Sequence, residues 1–289
     1  MTQADALAPL TRRQRGARAL ALAPAMALTL GVLVAPALFM LGYSFLRYVP
    51  GQITDGALTL DNYTRLLGDT FYLRVLASTV AMSLTVTLLC VVLGFPVAAF
   101  LARTTPRLRG ALAYLVFLPM MVGIVVRAYG WMVILGREGL VNAVLLKLGI
   151  VDFPLRLLFT REAVVLGLAE ILLPFMIMPI LAALEKIDPH VEEAARALGA
   201  TPAQNFLKVT LPLSLPGIVS GSLLVFSLAL TAYALPALLG GARVKFIAAL
   251  AYDAMLVGHN WPLAAAIGAL MTAVAAAVVY LYLSALRGH

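Results

Sequence analysis

Long apolar stretches separated by short polar segments dominate the chain from residue 19 onward. A hydrocarbon core of about 30 Å takes roughly 20 helical residues at about 1.5 Å each. Segments of about ten residues that alternate in polarity, as in a transmembrane barrel, are absent. The pattern therefore predicts an all-α integral membrane protein with six spanning helices, at Ala19–Leu46, about Val75–Ala102, Gly110–Gly136, Ala163–Leu184, Leu213–Gly240 and Leu263–Ala285.

The charges around the first span predict the orientation of the chain. Four arginines precede that span within residues 1–18: Arg12, Arg13, Arg15 and Arg18. Because positively charged segments stay in the cytoplasm, we expect a cytoplasmic N-terminal tail. Six spans would then return the C-terminus to the same side. The first apolar stretch far exceeds the 7–15 residues of a signal-peptide core, so we expect it to remain as an uncleaved span.

Composition agrees with this class and excludes several others. Of 289 residues, 63% are hydrophobic and 12% are charged, whereas a soluble domain carries about 25% charge. The net charge of +8 fits loops that face lipid headgroups. Cys90 is the single cysteine, which rules out an internal disulfide and a Cys-rich metal site. No P-loop, H-E-x-x-H or G-x-S-x-G motif occurs, so we predict no enzyme activity, no metal and no cofactor bound by this chain.

The segment between the fourth and fifth spans, Asp188–Thr210, is polar and patterned as two short helices. Asp188 and Pro189 are suited to begin the first helix, and Gly199 to end it in a left-handed conformation. Thr201-Pro202-Ala203-Gln204 has the form of a capping box for the second helix, which we expect Pro212 and Pro216 to stop. An apolar stripe at i, i+3, i+4 and i+7 comprises Val191, Ala194, Ala195 and Leu198.

Two interpretations of this segment fit the residues alone. An amphipathic loop can lie on the membrane surface with its apolar stripe in the headgroup layer. Alternatively, a stiff pair of helices with a small-residue face can dock in a groove of another protein. Both alternatives use the same stripe, so periodicity does not separate them.

The order of residues in this segment carries a resemblance. Glu193-Ala194-Ala195, Gly199 and Val209-Thr210-Leu211-Pro212 resemble the E-A-A-x3-G-x9-I-x-L-P loop of the membrane subunits of binding-protein-dependent ABC importers. "VRAYGWMVILGREGLVN", "LPFMIMPILAALEKID", "ALPALLGG" and "NWPLAAA" are similar to the polyamine-permease branch of that family. The similarity covers roughly residues 62–285.

The resemblance implies a type I importer fold, with spans two to six forming the shared permease domain (62–285) and span one (19–46) peripheral. It implies that residues 186–212 form a cytoplasmic coupling loop that seats in a partner ATPase, so that ATP is bound by the partners. It implies two ATPase subunits, a second and different permease, an extracytoplasmic solute-binding protein, and a prokaryotic inner membrane. The coupling residues implied are Glu192, Glu193, Ala194, Ala195, Arg196, Leu198, Gly199 and Pro212.

Ionisable residues within spans are the candidates for the solute pathway. Glu170 either lines the pore and attracts a cation or serves helix packing. Arg127 lies within snorkelling reach of the interface. Tyr129 and Trp131 fit an aromatic belt or a gate. Further candidates are Tyr233, Tyr252 and Asp253, near the outer ends of the last two spans.

The sequence is compatible with more than one class of carried solute. A polyamine-like solute is the first expectation from the resemblance. The segment Leu230–Gly241 has no acidic residue, where some polyamine permeases carry one. The alternatives are an importer of an amino-acid-like solute, an organic anion or a metal-ion complex, and a secondary carrier that works alone.

Overall fold

The computed structural model describes residues 12–51 and 56–287. Residues 1–11 of the predicted N-terminal tail lie outside the described residues. Among the described residues, the regular secondary structure is helical apart from one isolated bridge between Leu46 and Leu58, which confirms the all-α prediction. The helices are α1 Arg12–Tyr43, α2 Asp61–Gly68, α3 Thr70–Arg103, α4 Pro106–Phe117, α5 Ile124–Leu135, α6 Leu140–Lys147, α7 Arg161–Leu184, α8 Pro189–Ala197, α9 Pro202–Asn205, α10 Leu211–Leu230, α11 Ala234–Gly240, α12 Ile247–Tyr252 and α13 Trp261–Arg287.

Four helical segments are long and apolar enough to cross a membrane: α3, α7, the continuous run Pro202–Leu230, and Trp261–Tyr282 within α13. They correspond to the predicted second, fourth, fifth and sixth spans. A bent pair of helices makes a fifth if it is counted as one span. The predicted first span falls on α1, which is helical from Arg12 to Tyr43, and it stays a prediction. The described helices therefore support four or five spans, and six are not established.

The predicted third span, Gly110–Gly136, is wrong as one continuous helix. The segments Pro106–Met121 and Ile124–Lys147 meet at 89°. A 3₁₀ turn that contains Pro119 ends the first segment, and Val122 and Gly123 are extended before α5 begins. Proline removes one helical donor, and the extended pair turns the chain through about a right angle.

The predicted fifth span also differs at both ends. The helix does not stop at Pro212 or Pro216 but runs from Pro202 to Leu230. A π-helical turn, Phe206–Thr210, precedes Pro212, so the regular helical bonding is already interrupted where this proline supplies no N–H. At the other end the helix breaks at Thr231–Tyr233 before α11 starts. The span predicted to reach Gly240 is therefore two helices.

The centre of the molecule is a bundle of α3, α7 and α10, with a core that includes Val86, Met176 and Val225. Two glycines let α10 approach α7 closely. A Cβ on Gly217 would lie 2.5 Å from the Pro179 carbonyl oxygen, and one on Gly221 would lie 2.8 Å from the Met176 sulfur. Small residues at helix contacts are typical of membrane bundles. This packing fixes the positions of the C-terminal end of α7 and the N-terminal end of α10, which the segment containing α8 and α9 connects.

Candidate functional site

The α7–α10 loop, defined as Glu185–Thr210, has the local structure that its sequence predicts. The Asp188 carboxylate accepts the His190 amide at 3.0 Å and begins α8. Gly199 has φ +84°, the left-handed conformation expected after the helix. The Gly199 amide donates to the Arg196 carbonyl at 2.9 Å, and the Ala200 amide to the Ala195 carbonyl at 3.0 Å. These bonds satisfy the end of α8 and turn the chain.

The second arm of the loop begins with the predicted capping box. The Gln204 amide donates to the Thr201 hydroxyl at 3.3 Å, and the Thr201 amide donates to the Gln204 side-chain oxygen at 3.0 Å. The helix then continues through the π-helical turn into α10, and the Phe206 ring packs edge-on against Phe95 of α3 at 5.4 Å. This arm is therefore a rigid extension of a spanning helix.

The predicted apolar stripe of α8 points mostly away from the rest of the chain. Leu198 is 90% exposed, and Val191 and Ala194 are also exposed. Glu193 lies beside them, and its carboxylate is 3.2 Å from the His190 ring nitrogen. This exposed face is narrow, has small residues at its centre, and has the shape of a surface that another protein's groove can accept.

Glu192 turns inward, away from that face. Its carboxylate accepts the Thr210 hydroxyl at 2.8 Å and lies 3.7 Å from Arg103 and 3.5 Å from Arg196. The side chain is only 19% exposed. Glu192 thus attaches α8 to the ends of α3 and α10, whereas the resemblance implied that it takes part in coupling to the ATPase.

Arg109 is a second attachment that sequence reasoning missed. Its guanidinium donates to the carbonyl oxygens of Leu101, Ala102 and Thr104 at 3.0, 2.8 and 3.1 Å, and it also pairs with the Glu185 carboxylate. Carbonyl groups at a helix C-terminus lack helical partners, and arginine supplies donors in a fork. The signal available in the sequence was the basic segment Arg103–Arg109 that follows a span.

A partly buried ion pair lies inside the spans. Arg127 of α5 pairs with Glu170 of α7, and the two side chains are 11% and 35% exposed. Arg127 therefore turns to Glu170 and does not extend to the interface as predicted. Within the described residues the Arg127 Nε and one Glu170 oxygen have no hydrogen-bond partner. The pair neutralises the charge through which Glu170 was expected to attract a cation.

The remaining pathway candidates lie in two places, Tyr129 and Trp131 on α5 and Tyr233, Tyr252 and Asp253 around α11 and α12. Tyr129 is exposed, whereas Trp131 packs against the core. Tyr233, at the break between α10 and α11, stacks on Tyr252 with ring centroids 4.5 Å apart. Asp253 follows Tyr252, is exposed, and begins a π-helical turn. The structure therefore joins two aromatic rings from separate segments of the chain, and a carboxylate follows one of them in sequence.

With this geometry in place, the class of the protein follows from comparison. Residues 91–287 match the family described as the inner membrane component of binding-protein-dependent transport systems, and the chain belongs to that family. It is a permease subunit of an ABC importer.

Among its relatives, a spermidine/putrescine transport system permease protein of Escherichia coli K12 is 40% identical over 252 residues, which are 87% of this chain and 91% of the relative. The corresponding permease of Haemophilus influenzae is 37% identical over 247 residues, 86% of each chain. A solved bacterial transporter that imports the polysaccharide alginate has the same fold, with a TM-score of 0.74, 21% identity and 96% of both chains covered.

Proposed function

We propose that this chain forms half of the translocation pore of an ATP-driven importer of polyamines or similar small organic cations. The observation that carries the proposal is the 40% identity to a spermidine/putrescine permease across nearly the full length of both chains. The chain contributes the pathway and the mechanical link, and partner subunits contribute ATP binding and hydrolysis. The runner-up solutes are an amino-acid-like solute, an organic anion and a metal-ion complex.

The α7–α10 loop is the proposed mechanical link to an ATPase. Its exposed face around Ala194 and Leu198 can fit into a groove of the partner, and the Glu193 carboxylate can pair with a basic residue there. The loop is tied to α3 and α7 through Glu192 and Arg109, and its second arm is continuous with α10. The loop and the central bundle should therefore move together as a rigid body when a force is applied to α8. Closure of the ATPases can then shift the pore between its two states.

Tyr233, Tyr252 and Asp253 are the proposed contacts for the cationic solute. Aromatic faces attract ammonium groups, and a nearby carboxylate adds direct charge. Glu170 is already paired with Arg127, so Asp253 offers the carboxylate that the segment Leu230–Gly241 lacks. The C-terminal end of α10, with its partly negative carbonyls, lies next to Tyr233 and favours a cation further.

The proposed assembly contains four further subunits. A second permease of different sequence completes the pore, two ATPases bind at the α7–α10 loop and its equivalent, and a solute-binding protein docks on the opposite face. The arginines in the first turns of α1 and the cluster at Arg103–Arg109 favour a cytoplasmic N-terminus and a cytoplasmic α7–α10 loop.

Reconstitution tests the proposal directly. The chain, its partner permease and the two ATPases are placed in proteoliposomes with ATP inside the compartment that holds the ATPases. Radiolabelled spermidine and putrescine are then offered on the other side together with the binding protein. We expect uptake that requires ATP and the binding protein and that is abolished by a Walker A lysine substitution in the ATPases. Uptake driven by an ion gradient with this chain alone would contradict the proposal. ATP-driven uptake of an organic anion but not of polyamines would show that the carried solute is an anion, while the importer role would stand.

A further inference from the structure

A basic pocket of about 360 Å³ lies at the end of the bundle opposite the α7–α10 loop. It forms where the N-terminal turns of α3 meet the first residue of α7 and the connection between α11 and α12. We call it the basic pocket, and its lining residues are Phe71, Arg74, Val75, Ser78, Arg161, Ala242, Arg243, Val244 and Lys245. Four of these nine residues are cationic and none is acidic.

The four cations, Arg74, Arg161, Arg243 and Lys245, have no ion-pair partner among the residues that the structure describes. The carboxylate of Asp69, close to this pocket in sequence, caps α3 by accepting the Phe71 amide at 2.8 Å. Lys245 is held over the Phe71 ring, with its nitrogen 5.9 Å from the centroid. Like charges that converge without counter-charges repel one another, so the pocket favours an anionic ligand. The same field repels a free polyamine, which excludes the carried cation as the occupant.

The position of the pocket argues against the phosphate of a phospholipid. Arg74, Val75 and Ser78 lie on one face of α3, and the next residue down that face, Met82, is 5% exposed in the core. An acyl chain would have to run where this packed face lies. In addition, α3 has 34 residues and is about 51 Å long, so its N-terminal turns extend beyond a hydrocarbon core of about 30 Å. The pocket therefore opens toward the aqueous phase.

We propose that the basic pocket receives carboxylate side chains from an acidic surface of the solute-binding protein. This inference rests on the proposed function, because it requires a binding protein on this face. Guanidinium groups bind carboxylates in a bidentate fashion, and clustered cations accelerate association with an acidic partner. The pocket would thereby fix the docking position while keeping free cations away from it.

The test uses the complete importer in nanodiscs and the liganded binding protein. The double variant Arg74→Glu/Arg243→Glu reverses two of the four charges at exposed positions. The control is Arg65→Glu, which reverses a single exposed charge of α2 outside the pocket. We expect the double variant to weaken binding at low salt by about 100-fold, the scale of two interfacial charge contacts, and the control by less than about threefold. The difference should shrink at high salt.

Basal ATPase activity without binding protein should be equal in all three proteins, which shows that the variants assemble. Equal binding of wild type and double variant at every salt concentration would overturn the inference. So would a bound anionic phospholipid that copurifies with wild type and is lost in the double variant while binding is unchanged. A wild-type importer that no binding protein stimulates would instead overturn the proposed function, so the two failures are distinguishable.

Discussion

Glu192 and Glu170 are both acidic residues that pair with arginine, but they lie in opposite environments. Glu192, at the α7–α10 loop, has a hydroxyl and two arginines around it. Glu170, inside the spans, has one arginine, and one of its oxygens lacks a partner among the described residues. The first carboxylate is satisfied at the edge of the protein, and the second is undersatisfied where charge is most expensive.

The difference separates two structural roles for charge. The Glu192 cluster joins α8 to the ends of α3 and α10. Because water can replace its exposed partners, the loss of one contact should lower stability only slightly. The Arg127–Glu170 pair isolates two charges in an apolar bundle, so that each depends on the other. The loop should therefore respond to mutation mainly through coupling and the pair mainly through stability.

Substitution Arg127→Met should cost the most, about 3 kcal/mol of unfolding free energy. Removal of one partner leaves an unpaired carboxylate, and losses of about 3–5 kcal/mol are typical when a buried pair is broken. We place the effect at the lower end because Glu170 is 35% exposed. Denaturant titration in mixed micelles gives the value.

The double variant Arg127→Met/Glu170→Met serves as the control for that measurement. Because it removes both charges together, it should recover most of the stability. Arg65→Met, an exposed change, should stay within about 0.5 kcal/mol of wild type. If Arg127→Met is as stable as Arg65→Met, the ion pair does not hold α5 to α7.

Substitution Glu192→Ala should cost about 1–2 kcal/mol, because it removes a hydrogen bond to a charged group from the buried Thr210 hydroxyl. The ratio of solute transported to ATP hydrolysed should fall at the same time, since α8 is then less firmly attached to α3. Glu192→Gln keeps an acceptor for Thr210 and removes only the exposed charge pairs, which are worth about 0–1 kcal/mol. Equal losses for Ala and Gln would show that charge, and not the hydrogen bond, fixes the loop.

Substitution Gly199→Asp should cost about 1 kcal/mol of stability, since a side chain at φ +84° is strained although a Cβ would meet nothing within 4 Å. Transport should nevertheless fall by about tenfold or more, equivalent to 1.4 kcal/mol of docking energy, because a charge enters the docking surface. Gly199→Asn gives the same strain without the charge. Membrane levels, ATPase association and uptake are measured together, and normal uptake by Gly199→Asp would remove the docking role of this turn.

The contrast also explains which features the sequence could predict. The caps at Asp188 and Thr201 and the turn at Gly199 depend on residues within four positions of one another, so their order in the chain predicts the structure. The fold class followed in the same way from the length of the apolar stretches. The E-A-A spacing also identified the family, because it sits in one short segment.

Features that depend on contacts between distant segments were not predictable in this way. Nothing near Arg127 indicates that Glu170, on another helix, will face it. The same holds for the Tyr233–Tyr252 stack and for the four cations of the basic pocket, which come from three separate segments. The breaks at Val122–Gly123 and Thr231–Tyr233 lie within apolar stretches, where hydropathy alone predicts a continuous helix.

The smallest effect on stability should come from Glu193→Gln. The Glu193 carboxylate is exposed and touches only His190 in the described chain, so the unfolding free energy should change by less than about 0.5 kcal/mol. If Glu193 pairs with a basic residue of the ATPase, uptake should fall by up to about fivefold, because an exposed pair contributes at most about 1 kcal/mol. Salt screens such a pair, so wild type and variant should become equal at high salt. A tenfold loss that salt does not change would mean that Glu193 is buried in the docked state, and the shape of the α8 face would then not be the main source of coupling.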